Sequence, residues 1–141
     1  MFIDKMNQQK THEFAPIPLE IEKIGKACLD AAFKVHTVLG PGLLESTYET
    51  ALAYELTKRN ISLETQILIP INYDGHQLNS GFRCDLLVEK SVIIELKAVE
   101  KMIPLYEAQL LTYLKLSGVR LGYLINFNIP HLKTGIKRMV Y

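Results

Sequence analysis

Apolar residues along this chain repeat with two different periods, and the switch between them marks out the elements. Over residues 19–39, Ile21, Ile24, Cys28, Ala31, Val35 and Val38 recur at steps of three and four. That spacing predicts an amphipathic helix with a single apolar stripe. Gly40-Pro41-Gly42 ends it, because proline cannot continue the hydrogen-bond ladder and glycine frees the backbone to turn. A second helix is predicted over 43–59, with Leu44, Tyr48, Leu52 and Leu56 inward and Lys58, Arg59 and Asn60 at the end that favours positive charge. Strand chemistry follows. Residues 65–73 are rich in isoleucine, and Pro70 implies an edge or a bulge. Asp74-Gly75 is a turn signal. Two further strands, 81–88 and 92–98, flank Glu89-Lys90-Ser91. A third helix begins at Pro104, a favourable first-turn residue, and stops at Ser117-Gly118. Residues 121–127 read as an apolar strand, and 136–140 as a short one. The order ααβββαβ predicts an α/β domain, a mixed central sheet flanked by helices.

Composition narrows this picture. The chain has 141 residues, the size of one domain with a real core, and 48% hydrophobic against 22% charged residues sets it apart from disordered chains. No apolar run approaches the roughly 20 residues that a membrane helix needs. Residues 1–18 are polar, close with Pro16 and Pro18, and read as a flexible arm before a domain spanning 19–141. Without an apolar segment in that arm a secretory signal is not expected, and the cytoplasm is the expected location. Cys28 and Cys84 are far apart and form no C-x-x-C pair, which argues against a disulfide framework or a zinc site; Cys28 reads as core. The net charge of +1 offers no broad basic surface, so any nucleic-acid binding has to come from local placement of charge.

The two strands at 81–88 and 92–98 carry the candidate chemistry. A three-residue turn puts Val88 opposite Val92, and therefore Asp85 opposite Glu95, with Cβ atoms about 5 Å apart on one face. Alternation brings Lys97 to that face and Arg83 opposite it, while Leu86, Ile94 and Leu96 point the other way into the core. Two directly opposed carboxylates repel, and a divalent cation between them reverses the sign of the interaction. Magnesium needs only one or two carboxylates because it keeps several waters. Such a centre acidifies bound water and stabilises charge on phosphate oxygens, and Lys97 is placed to serve the attacking water or the phosphate. The competing reading is a solvated strand face tied by cross-strand salt bridges, which the geometry alone does not exclude.

Other residues extend the pattern. Gly42-x-x-Glu45-x-x-Tyr48 opens the second helix, and Tyr106, Gln109 and Tyr113 share a face of the third. Together with Asp85, Glu95-Leu96-Lys97 and Gln109-x-x-x-Tyr113, the chain closely resembles the small proteins named for a Gly-x-x-Glu-x-x-Tyr motif, within the PD-(D/E)XK nuclease superfamily. The resemblance runs from Leu19 to the C-terminus. It implies a restriction-endonuclease-like core and a divalent-metal-dependent nuclease using Mg2+ or Mn2+. Asp85 and Glu95 are then the metal-ligating carboxylates, the Leu96 carbonyl completes the set, and Lys97 is the catalytic lysine. Glu45 matches a helix-borne acid near the metal. Gln109 and Tyr113 match a helix that supports the site and contacts DNA. The chain departs from the superfamily pattern at Cys84, where proline is expected before the first acid.

His36 admits two readings, an extra metal ligand favouring manganese or iron and a histidine packing the helix end. Tyr48 and Tyr106 read as core aromatics with bonded hydroxyls, and Glu49 and Glu55 as a solvated helix face. Lys101, Lys133, Lys137 and Arg138 read as solubility or as phosphate contacts. His12, His76 and His131 read as surface. The expected function is hydrolysis of phosphodiester bonds, in DNA rather than RNA, with no membrane partner and with a homodimer expected from the small size. The alternative is a non-cleaving nucleic-acid-binding or regulatory module on the same fold.

Overall fold

A computed structural model describes residues 15–141; the first fourteen, and with them most of the expected arm and His12, lie outside the described residues. The elements are α1 (Leu19–Leu39), α2 (Glu45–Lys58), β1 (Leu63–Tyr73), β2 (His76–Val88), β3 (Val92–Lys97), α3 (Pro104–Ser117), β4 (Leu121–Asn126), a 3-10 turn (Leu132–Gly135) and β5 (Ile136–Val140). The strands form one sheet in the order β1-β2-β3-β4-β5, antiparallel except for the parallel pair β3 and β4. The mixed sheet is as expected, and the expected ααβββαβ order is followed by the short strand read over 136–140, which forms β5. Among the described residues no helix is long and apolar enough to cross a membrane.

Helices cover both faces of the centre of the sheet. On one face Cys28, Ala31, Ala32 and Val35 of α1 and Tyr48, Leu52 and Leu56 of α2 meet Leu86, Val88, Val92, Ile94 and Leu96. On the other, Leu110, Tyr113 and Leu114 of α3 meet Cys84, Ile93 and Leu124. Parallel strands buried on both faces read as near-continuous apolar runs, which is why β4 and most of β3 show little alternation. Two expected core positions are not core. Val38 and Leu44 are 66% and 74% exposed; they flank the Gly40-Pro41-Gly42 corner, in the last turn of α1 and just before α2.

The hairpins follow their turn residues. Asp74 and Gly75 take φ of 52° and 77°, which suits the two-residue turn between the paired Tyr73 and His76. Glu89 and Lys90 take 49° and 53° in the three-residue turn between the paired Val88 and Val92. Pro70 marks the bulge expected of it. The β1–β2 register shifts by two residues between Ile69 and Ile71, and only glycine fits opposite, since a Cβ at Gly81 would sit 1.9 Å from the Ile69 carbonyl oxygen. The free thiols Cys28 and Cys84 are buried, and burial pushes them up to about 12 and about 11, so they pack as small apolar groups.

Candidate active site

Asp85 and Glu95 interlock at the open end of the β2–β3 hairpin. Val88, Leu87 and Leu86 pair with Val92, Ile93 and Ile94, which brings Asp85 and Glu95 next to one another beyond the last regular pair. There the side chains take over the backbone bonding. Glu95 Oε1 accepts the Asp85 N–H at 2.9 Å, and Asp85 Oδ2 accepts the Leu96 N–H at 2.8 Å. Glu95 is only 7% exposed. Burial first, and then the charge of Asp85, push its carboxyl up to about 8, against the opposing effect of the Asp85 N–H.

Lys97 leaves the same face of β3 two residues later. Its Nζ lies 4.4 Å from the centre of the Tyr106 ring, on the first turn of α3. An ammonium over an aromatic face is attracted to the ring quadrupole and keeps its position without a carboxylate partner. The described ion pairs join Arg59 to Glu55, Lys137 to Glu107 and Arg138 to Glu22. Among the described residues neither Asp85 nor Glu95 makes one, so a face held by cross-strand salt bridges is not what forms.

The opening of α2 explains why a glycine, an acid and a tyrosine fall at three-residue spacing. Gly40 and Gly42 take φ of 67° and 101°, values glycine adopts without strain, and carry the chain round the corner. The Tyr48 hydroxyl, one turn into α2, donates to the Gly40 carbonyl at 2.6 Å and accepts from the Leu43 N–H at 3.1 Å. Its ring stacks on Phe127 at 4.7 Å. Tyr48 is therefore the core aromatic with a bonded hydroxyl that was expected, and it fixes the corner from which Glu45 projects. Glu45 begins the helix, where its charge complements the helix dipole. Although it reaches solvent, partial burial and then Asp85 raise its carboxyl above the usual range, with Lys97 acting the other way.

Glu49, expected on a solvated face, instead turns toward the site. Gln66 Nε2 donates to both of its carboxylate oxygens, at 2.9 and 3.0 Å, and to Asp85 Oδ1 at 3.2 Å. Asn126 contributes from the far side. Buried at the end of β4, its amide accepts the Val99 N–H and donates to the Val99 carbonyl, while the Phe127 N–H reaches the Lys97 carbonyl. The chain leaving Lys97 is thereby clamped. Gln66, Glu49, Asn126 and the role of Tyr106 were all missed from the sequence. Asn126, polar in an otherwise apolar strand, was the one visible signal.

The remaining candidates divide. Tyr113 is buried against Phe82, with ring centres 4.3 Å apart, and burial followed by the charges of Glu95 and Asp85 pushes its hydroxyl up to about 12. It belongs to the site's wall. Gln109 is exposed on α3 and makes no hydrogen bond among the described residues, so it is open to solvent rather than fastened to the carboxylates. Arg83 is not brought to the carboxylates as expected. Cys84 and Leu87, three apart, both pack toward α3, so β2 breaks strict alternation at Asp85 and leaves Arg83 exposed. His36 Nε2 lies 2.7 Å from the Ile129 carbonyl oxygen, which favours the histidine that packs a helix end over the extra ligand. Lys137 and Arg138 pair with Glu107 on α3 and Glu22 on α1, and so tie β5 to the helices.

The donor set suits a hard divalent cation. Two carboxylates stand side by side with no ion pair to either among the described residues, and magnesium and manganese favour such oxygen donors, taking few protein ligands and keeping water.

No curated protein matches the chain. A solved structure titled "Crystal structure of SSO0001" is similar at 22% identity and a TM-score of 0.47, over 84% of this chain; the chain spans 58% of the length of that one. The family model of the PD-(D/E)XK nuclease superfamily matches residues 22–139, which takes in both carboxylates, the lysine, α3 and the corner at Tyr48. The chain belongs to the PD-(D/E)XK nuclease superfamily.

Proposed function

We propose that this domain is a divalent-metal-dependent nuclease of the Gly-x-x-Glu-x-x-Tyr kind, acting on DNA in preference to RNA. The observation that carries the reading is the interlocked pair of Asp85 and Glu95, one of them buried, with no cation among the described residues in an ion pair with either. Asp85, Glu95 and the Leu96 carbonyl would hold Mg2+ or Mn2+, which when bound supplies acidified water and neutralises charge on a phosphate. Lys97, held against Tyr106, orients the attacking water or meets the charge that develops on the phosphate oxygens. Glu45 shapes the negative side of the site from α2. Gln109, free on the surface of α3, is a contact for the nucleic-acid backbone. A small domain offers little surface to grip a duplex, and the reading includes a homodimer; a monomer in light scattering at assay concentration removes that part.

The test is a cleavage assay on plasmid, single-stranded DNA and RNA with Mg2+ or Mn2+, beside Glu95→Ala and Lys97→Ala. Cleavage lost in both variants establishes the activity and its residues. Folded wild-type protein that cuts none of the substrates with either metal favours a non-cleaving module, a reading to which the net charge of +1 lends some weight.

A further inference from the structure

Gln66 stands at a place where β1 departs from ordinary strand geometry. Its neighbours pair regularly, Thr65 with Leu86 and Ile67 with Cys84, which sets Gln66 opposite Asp85. Its own φ is +51°, a left-handed conformation uncommon for any residue but glycine. The partner strand breaks its alternation at the same level, since Cys84 and Leu87 turn to one side. An uncommon backbone conformation on β1 and a break in the alternation of β2 thus coincide at the level of the carboxylate that the site depends on.

The side chain at that position does something specific. An amide nitrogen carries two hydrogens, and Gln66 Nε2 has two carboxylates within reach. It lies 2.9 and 3.0 Å from the two oxygens of Glu49 and 3.2 Å from Asp85 Oδ1. One hydrogen serves each acid. Because Asp85 Oδ2 already accepts the Leu96 N–H, Asp85 is held through both oxygens, one from β3 and one from β1. The amide also links two negative groups without adding charge. A lysine there would compete with a cation, and an acid would add a third repelling carboxylate. A neutral double donor leaves the negative potential intact and the carboxylate oriented.

We infer that Gln66 is a positioning residue of the metal site, holding the Asp85 carboxylate in its ligating orientation and coupling it through Glu49 to α2. This rests on the metal-site reading above, and the experiment separates the two. Mn2+ binding is measured by titration calorimetry on wild type, Asp85→Asn, Gln66→Gly and Glu49→Ala, with melting temperatures recorded in chelator. Glycine at 66 removes the amide and suits the left-handed backbone, so the metal-free protein should melt no lower than wild type. Its Mn2+ affinity should fall about 10- to 100-fold, the usual effect of losing a partner that orients a ligand. Should Gln66→Gly fail to fold, Glu49→Ala, which cuts the other half of the bridge, decides by the same direction of change. Wild-type affinity in the deciding variant overturns the inference and leaves the metal site standing, provided wild type binds and Asp85→Asn does not. Absence of Mn2+ binding by wild type overturns both.

Discussion

The two faces of β3 divide the work of one short strand. Val92, Ile94 and Leu96 point to α1 and α2 and are sealed from water. On the other face only Ile93 is apolar, and Glu95 and Lys97 follow it toward the end of the sheet. Three apolar contacts in a row stabilise the strand enough for its other face to hold a buried carboxylate, a group that raises the energy of the folded state. Stability and chemistry are thus separated by a single peptide unit.

Exchanging one residue from each face is the sharpest way to break that contrast. Lys97→Ala should lower cleavage by about 10³-fold with little change in melting temperature. Ile94→Ala should do the reverse, costing about 2–5 kcal/mol of stability in denaturant titration, with cleavage retained in whatever fraction stays folded. Equal damage to both properties from either variant would mean that the faces are not independent.

A second test uses proton linkage. The Glu95 carboxyl is raised to about 8 in the fold, chiefly by burial. Its protonated form is therefore favoured by folding. That contribution is complete below the ordinary carboxylate value and drains away as pH climbs through the raised one. Metal-free protein should melt at lower temperature as pH rises from about 5 to about 8, and Glu95→Gln should flatten the slope. Slopes that coincide would place the titration elsewhere.

The smallest effect concerns the ring under the lysine. Tyr106→Leu should slow turnover by about tenfold with little change in KM, while Tyr106→Phe, which keeps the aromatic face, should stay near wild type. A phenylalanine variant as slow as the leucine one would shift the role to the hydroxyl.

The limits of α1 and α3 were legible because each stops at a glycine that proline or a polar residue reinforces, a signal contained within a few positions. The opposition of Asp85 and Glu95 was legible for a similar reason, since a tight turn sets the register of everything near it. The first five residues of β2 were not. His76 and Gln77 lack the β-branched character of a strand, and they pair because the Asp74-Gly75 turn folds them onto Tyr73 and Asn72. Gln66 and Glu49 lie seventeen residues apart and meet through a left-handed residue that no periodicity announces. Arg83 failed for the opposite reason, because the alternation that placed it ends one residue before it is needed.

The turn at Glu89 and Lys90 has a consequence for how such a hairpin can vary. It lies three strand residues from Asp85, on the order of 10 Å, and touches nothing in the site. Yet it sets the frame in which two strands are read against each other. Substitutions at Lys90 should drift among residues that accept positive φ, while Glu89 is also held by the Ser62 N–H, which its carboxylate accepts at 2.7 Å. A single inserted or deleted residue should behave as a frameshift, sliding Asp85 past Glu95 and silencing the site from a distance while every catalytic residue is still present in the chain.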